Sequence, residues 1–472
     1  MSISSATIFY KTLWPLSQAL LVASLGILFG FDIGTIFIHQ TYIADFFAAA
    51  INKSDVVLGT YILGFTFGVF IAGYVTYGSG RKITLLSSTT IGSLAVFAAL
   101  VAPNFSVLLC AEFVVGFCFA LYFMAAALLN AELLLPRWRN LALMSIPCAV
   151  SLGTLISLLS IDKNDNRPII LFAIVLIITL IFLALTLFKL PESPRYLALS
   201  GNADAALAVL FKLRHDMGRA ARELAEINEC CRGEVRGIEF FLQNTTYRHL
   251  LIFLSSLAFL FNLGGAVVIP RILIKNLSTA LFCPEESACY FSFDSQIVYL
   301  TFSIVFVSLI LHSLALERWN GRNIVIFSCS LSIVFLFFSI ILSLHTSTDL
   351  INLLVTISIS SYVFFALGAF TTFISLVVQL MPIRGREFGL ATIILANGIG
   401  ILFGLQFDMP LVHRFGLLGF FFICLLTSIF LLYLLRFYLP ILERKSLESI
   451  EIRISAITSF SKINQNPANK NY

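Results

Sequence analysis

Charge is what this chain has least of. Asp, Glu, Lys and Arg make up 12% of its 472 residues, against 59% hydrophobic. Soluble domains carry about a quarter charged residues, so a water-soluble globular protein is excluded. Metal-ligand spacings of Cys, His and acids are missing. So are a Gly-rich phosphate loop closing on Lys-Ser or Lys-Thr and a nucleophile beside an ordered base. These absences argue against a metalloenzyme, direct use of ATP and covalent catalysis. The chain is therefore expected not to be an enzyme and to need no cofactor or metal. Its basic excess is small, +5, and reports topology rather than nucleic-acid binding. No short cleavable leader is expected either. The first apolar run is full length and carries Asp32, which reads as a membrane span rather than a signal peptide.

Apolar sequence fills the chain instead, at a mean hydropathy of +0.97. Twelve mostly apolar segments of about 20 residues, the length that crosses a bilayer, fall six before and six after one long polar stretch, from about Ser193 to Arg248. This pattern predicts an all-α polytopic membrane protein embedded in a lipid bilayer. It divides into an amino-terminal six-helix half (1–190), a cytoplasmic linker with short amphipathic helices (191–247), a carboxy-terminal six-helix half (248–438) and a cytoplasmic tail (439–472). With both termini in the cytoplasm, most of the 30 Lys and Arg lie on the inner side, as the positive-inside rule asks. The 47 Phe read as lipid-facing filler or codon bias. Most of the nine cysteines lie inside apolar runs as small buried residues. Cys283 and Cys289 flank a polar outer loop and can form a disulfide there. Asn52 and Asn276 head glycosylation sequons on outer loops, which matter only in a eukaryotic secretory pathway.

In the linker, Leu207, Leu210 and Phe211 share one helical face, as do Ala220, Leu224, Ile227 and Cys231. Arg219 with Glu223 and Arg222 with Glu226 stand at i,i+4 spacing, which predicts exposed ion pairs. In the first span, Gly26, Gly30 and Gly34 recur every four residues and mark a close-packing face. Asp32 lies within that ladder. An acid inside a span is costly unless it faces a cavity, so Asp32 is a functional candidate, with an exposed acid near a helix end as the alternative. A second ladder, Gly64, Gly68 and Gly73, marks the second span. The stretch Pro191-Glu192-Ser193-Pro194-Arg195-Tyr196-Leu197 closes the first half. Two prolines around Glu-Ser cannot continue a helix. Glu192 and Arg195 are thus held at the membrane surface, either pairing across helices or simply solvated.

That heptapeptide resembles the signature after the sixth helix of sugar porters in the major facilitator superfamily, and other segments match in order along nearly the whole chain. Phe31-Asp32-Ile33-Gly34 is similar to the Gly-Tyr-Asp-x-Gly of proton-coupled members, where that Asp is the protonation site. Gly73, Gly80, Arg81 and Lys82 fit the hallmark Gly-x-x-x-Asp-Arg-x-Gly-Arg-Arg or Lys, with Tyr77 and Gly78 in place of its Asp and Arg. Glu132 and Arg139 fall at the spacing of Ser-Glu-x-x-Pro…Arg-Gly. Glu317, Arg318, Gly321 and Arg322 mirror the hallmark turn, and Pro382, Arg384 and Arg386 fit Glu-x-x-Pro-x-Arg-x-Arg with Gln379 replacing the Glu. Lys445-Ser446-Leu447-Glu448-Ser449-Ile450-Glu451 resembles the closing motif.

The resemblance implies the major facilitator fold, twelve helices in two halves, and a cavity that opens alternately to either side. It implies an inner-face charge latch of Arg81, Glu132, Arg139, Glu192, Arg195, Glu317, Arg318, Arg322, Arg384 and Arg386, with simple positive-inside topology as the alternative. At the centre the sequence departs from the family. Pro147, Phe261, Val267 and Ile374 stand where Gln, Gln, Asn and Trp are usual, and Gly398 replaces a second Trp. Glu112 stands where an Arg normally faces the first-helix acid. Asp32 and Glu112 are thus candidates for a proton-coupling pair or a cation site, unless Glu112 has a basic partner such as Arg271. Substrate is expected between the halves, near Asn262, Gly265, Ile374 and Asn397. The implied activity is facilitative or proton-coupled transport of a hexose or polyol, with the sugar and protons as partners, in the plasma membrane. Alternatives are another solute, such as a small organic cation, nucleoside or amino compound, or a non-transporting nutrient sensor. The short tail argues against the sensor.

Overall fold

A backbone surrounded by lipid has no partner for its amides except its own helix, and the apolar runs fold accordingly. The computed structural model describes residues 5–38, 53–158, 167–232, 235–265, 269, 295–344, 349–440 and 445–455. Cys283, Cys289, the sequon residues Asn52 and Asn276, Val267 and Arg271 lie outside them. The first half contains α1 (Ser5–Ser24), α2 (Gly26–Ile38), α3 (Lys53–Ser79), α4 (Arg81–Leu100), α5 (Phe105–Leu133), α6 (Pro136–Leu158) and α7 (Arg167–Lys189). The linker forms α8 (Pro194–Leu199), α9 (Ala203–Arg214), α10 (Met217–Cys231) and α11 (Ile238–Gln243). The second half contains α12 (Thr245–Leu263), α13 (Ser295–Arg318), α14 (Gly321–Ser343), α15 (Asp349–Leu380) and α16 (Arg386–Tyr438), followed by α17 (Leu447–Ser455). Together α1 and α2 make one span, and α16 makes two, meeting at Gly416 with its φ of 70°. Among the described residues eleven stretches are long and apolar enough to cross a membrane, and Ala173–Lys189 is a shorter apolar helix. The chain is a multi-pass helical membrane protein. Phe67, Leu94, Ile181, Phe188, Phe337 and Phe437 are all more than half exposed on its surface, which suits lipid and not water.

The two halves repeat one packing scheme. In the first, α2 packs on α6, while α3 and α4 both pack on α5. Six spans later, α12 packs on α16, while α13 and α14 both pack on α15. The halves meet where α3 lies along α16 and α6 along α13. Glycine sets the closest approaches. A Cβ on Gly30 would fall 1.8 Å from the Val150 carbonyl oxygen, and one on Gly153 would fall 2.1 Å from that of Ile27. The same reciprocal contact joins α3 and α5. There, Gly64 would meet the Phe113 carbonyl at 2.1 Å, and Gly116 that of Tyr61 at 2.0 Å.

The linker helices begin on side-chain caps: Ser193 for α8, Asn202 for α9 and Asp216 for α10. Leu210, Ala220 and Ile227 form their small core with Leu207, Leu224 and Cys231 packed against it, whereas Phe211 points outward, about half exposed. The i,i+4 ion pairs expected on α10 do not form. Glu223 turns inward to Arg214 and Arg195, Arg219 pairs with Asp216 at 3.5 Å, and Arg222 donates to the Gly218 carbonyl at 3.2 Å. Buried charge-assisted bonds win over solvated ones because the competing water is removed.

These contacts predict opposite fates for two glycines of the first half. Gly116→Val must push α5 from α3 and is expected to destabilise the bundle by about 1–3 kcal/mol. Gly59→Ala, whose new methyl meets nothing within 4 Å, should leave stability unchanged or raise it slightly. Thermal unfolding of both variants in detergent checks the pair.

Candidate functional site: a buried charge cluster and a carboxyl pair

At the linker end of the bundle, four helix ends bring charges together in a dry space. Glu132, at the end of α5, is 1% exposed. Its carboxylate accepts from Arg81 Nη2 at 3.5 Å, from Arg386 Nη1 at 3.3 Å and from the Ser193 hydroxyl, with Arg81 Nε in ion-pair contact at 3.3 Å. Arg81 belongs to the same half as Glu132, and Arg386 to the other. Arg81 also pairs across the halves with Glu387. A neutral bridge lies beside these ions: Gln379 Nε2 of α15 donates to Asn140 Oδ1 of α6 at 2.7 Å.

The linker and tail extend the cluster. Arg195, 1% exposed, donates to Glu448 of α17 at 2.9 and 3.0 Å, to Glu223 at 3.3 Å and to the Glu132 carbonyl. Arg214 holds Glu223 through two bonds of 2.7 and 2.8 Å. Glu451 accepts from the Ile383 amide at 2.7 Å. Burial alone would raise the Glu223 carboxyl. The Arg214 hydrogen bonds and the charges of Arg195, Arg214 and Arg139 outweigh it and hold the group low. Glu448 is held low against the same burial by Arg195, its own amide and Arg386.

The other latch candidates have different surroundings. Glu192 does not pair with Arg195. It accepts from the amides of Arg81 at 3.1 Å, Lys82 at 3.2 Å and Ser193 at 2.9 Å, so it caps the start of α4. Burial raises it in spite of those bonds. Arg139, 1% exposed, donates to the carbonyls of Ala131 at 3.0 Å and Lys445 at 3.3 Å. The Arg384 guanidinium lies 4.8 Å over the Phe240 ring. Arg322 donates to the Arg436 carbonyl within its own half, and Glu317 and Arg318 are exposed. Glu387, Glu448, Glu223 and Arg214 were not singled out for this cluster from the sequence. Their partners lie far along the chain or, for Glu223 and Arg214, at no helical spacing.

Inside the bundle, Asp32 of α2 and Glu112 of α5 are 1% and 3% exposed, with their carboxyls in hydrogen-bonding reach of each other. Asp32 Oδ2, Glu112 Oε2 and the nearby Tyr61 hydroxyl have no hydrogen-bond partner. Among the described residues neither acid forms an ion pair. A hydrogen bond between two carboxyl groups requires a proton on one of them, so the pair can hold one exchangeable proton. Tyr61 went unnoticed in the sequence because a Tyr in an apolar run has no distinguishing pattern.

In the second half, Asn262 Nδ2 donates to Asn397 Oδ1 at 2.8 Å and to the Asn397 carbonyl at 3.2 Å, joining α12 to α16. Asn262 Oδ1 has no partner. Gly265, with φ of 85°, follows the end of α12. Ile374 is 9% exposed and packs in the main apolar core. Gly398 brings α16 against Thr66 of α3, whose hydroxyl oxygen would lie 2.6 Å from an added Cβ.

The sequence profile described as Sugar (and other) transporter matches residues 18–453. The galactose-proton symporter of Escherichia coli K12 is 23% identical over 438 residues, covering 91% of this chain and 92% of that protein. The arabinose-proton symporter of the same strain is 28% identical over 235 residues, 49% of each chain. Among solved structures, the major facilitator proton:xylose symporter XylE bound to 6-bromo-6-deoxy-D-glucose gives a TM-score of 0.75 at 18% identity, covering 93% of this chain and 98% of that one. XylE from E. coli in an inward open conformation gives 0.63 at 17% identity, over 93% and 99%.

The cluster predicts a ranked loss of stability. Glu132→Ala strands Arg386 and half-strands Arg81, and should cost about 3–5 kcal/mol. Glu387→Ala leaves Arg81 with Glu132 and should cost less; denaturation of the two purified variants measures the difference. The depressed carboxyls give a pH dependence with a definite sign. Glu223 and Glu448 contribute stability above the ordinary Glu value of 4.5 and lose it as pH falls through their lower folded values. Corrected for the intrinsic amide rate, the protection of α8–α10 and α17 against hydrogen exchange should fall below that value, and in Glu223→Gln, which no longer titrates, it should fall less over the same range.

Proposed function

We propose, from the premise that this chain belongs to the Sugar (and other) transporter family, that it carries a hexose, pentose or related polyol across the membrane together with a proton. The major facilitator fold supplies the frame for alternating access. The carrying observation is the Asp32–Glu112 pair, two buried acids in reach of each other and without an ion-pair partner. Two carboxylates cannot both stay charged in a dry cavity, since repulsion and desolvation act in the same direction. One proton makes the pair stable where it is. Losing it favours an arrangement in which water reaches the acids, and so ties protonation to the movement of the halves. The names of the galactose-proton and arabinose-proton symporters among its relatives agree with this reading.

The linker side is bridged across the halves by Arg81–Glu387, Arg386–Glu132 and Gln379–Asn140. We take this as the state closed on that side, with the linker and both termini in the cytoplasm and the protein in the plasma membrane. Opening would separate these pairs as the halves rock. The sugar would lie between the halves, at Asn262 and Asn397. An amide offers both a donor and an acceptor to a hydroxyl, and the free Asn262 Oδ1 is a ready acceptor. Gly265 would lie at the turn that closes α12 beside them, and Ile374 would supply an apolar wall. The same acid pair favours a second reading, a small organic cation as cargo.

Uptake of labelled galactose, arabinose, xylose and glucose into liposomes holding the purified protein tests the proposal. Saturable uptake stimulated by an inward proton gradient is expected. Asp32→Asn and Glu112→Gln should each abolish the stimulation while sugar counterflow persists. Uptake indifferent to the gradient would leave a facilitator. Sugar binding without counterflow would mean a sensor, and uptake of organic cations alone would favour the second reading.

A further inference from the structure

Beside the charge cluster, on the linker side, is a cavity of about 260 Å³ that the transport reading does not use. It opens where three parts of the chain meet: the start of α6, the linker helices α8 to α10, and Ser446 just ahead of α17. Five arginines line it, Arg139, Arg195, Arg214, Arg219 and Arg222, against two acids, Glu223 and Glu226. The lining thus carries a net excess of three positive charges.

The arginines are not equally committed. Arg195 is spent on Glu448 and Glu223, and Arg214 on Glu223. Arg219 and Arg222 are exposed, with Arg222 bonded only to a backbone carbonyl. Arg139 differs from all of them. It is 1% exposed, its bonds go to two carbonyls, and among the described residues no carboxylate pairs with it. A buried guanidinium with no carboxylate in ion-pair contact, and only Glu448 and Glu223 acting on it from farther away, is incompletely compensated. The planar fork of Arg is also the side chain best matched to the oxygens of a phosphoryl group.

We propose that this cavity is a phosphoryl-binding site, with Arg139 as its buried anchor and Arg222 at its mouth. A water molecule takes about 30 Å³ of liquid, so the space suits inorganic phosphate, a small phosphate monoester or the phosphate of a lipid headgroup. The occupant neutralises Arg139 and touches the first half, the linker and the approach to α17 together. It therefore strengthens the arrangement in which the linker side is closed. The site stands on its own geometry and holds whatever solute the protein carries.

Titration of inorganic phosphate against the full-length protein in nanodiscs of neutral lipid, at constant ionic strength set with chloride, tests it by calorimetry. Saturable binding at one site is expected. Arg139→Gln and Arg222→Gln should each weaken it by about tenfold, the loss of one charge-assisted bond. Glu226→Gln should tighten it by removing a like charge from the wall. Should the buried Arg139 variant fail to fold, the exposed Arg222 position carries the same expectation. Nanodiscs containing phosphatidylglycerol then separate the two sources. Phosphate binding blocked by the anionic lipid identifies the headgroup as occupant, and binding that persists identifies the free anion. Absence of saturable binding, or binding that the Arg222 variant leaves unchanged, overturns the proposal.

Discussion

One buried carboxylate holds the linker end of this protein together. Glu132 takes an arginine from its own half, Arg81, and an arginine from the other, Arg386, with the Ser193 hydroxyl as a third donor. Arg81 returns the exchange by reaching Glu387 across the interface. Removing such charges from water is expensive, and their attraction repays this only with good geometry and nearly all donors and acceptors used. The cluster adds little net stability compared with apolar packing. It does make the closed arrangement hard to break one partner at a time. It can be released as a whole when water enters, which suits an interface that must close fully and still open.

The carboxyl pair and the charge cluster are carried by the same helix. Glu112 and Glu132 lie twenty residues apart on α5, about 30 Å at 1.5 Å per residue. Gly64 and Gly116 pack this helix against α3 at backbone contact, and α3 itself lies along α16 of the other half. A tilt of α5 that admits water to Asp32 and Glu112 therefore moves Glu132 relative to Arg386. The central pair and the end cluster are joined by a rigid rod and not by a chain of weak contacts.

Several departures from the family pattern at the ends of the helices have contacts of their own. Tyr77 and Gly78 remove an acid and a base from the α3–α4 turn, but Arg81 still finds two carboxylates, one of them Glu387 from the opposite half. Gln379, in place of a Glu, makes a neutral bond to Asn140 at 2.7 Å. Glu192 caps the start of α4 with backbone bonds instead of joining an ion pair. Gly398, in place of a Trp, lets α16 approach Thr66 closely. The tail helix α17 is tied to the linker face by Glu448 and Glu451.

Length and hydropathy along the sequence determined that the chain is helical, that it crosses the membrane many times and that it divides around one polar linker. Those properties depend on residues within a turn or two of one another and on their transfer from water to lipid. The glycine ladders of the first two spans and the inward face of the linker helices were legible for the same reason. The choice of partner for each charge was not. Glu223 had Arg219 at i,i+4 and took Arg214 and Arg195 instead. Arg195 met Glu448 from 253 residues away, and Asn262 bonded Asn397 across two helices. A buried charge or amide pairs with whichever group is desolvated beside it, and only the packing of helices distant in sequence decides which group that is.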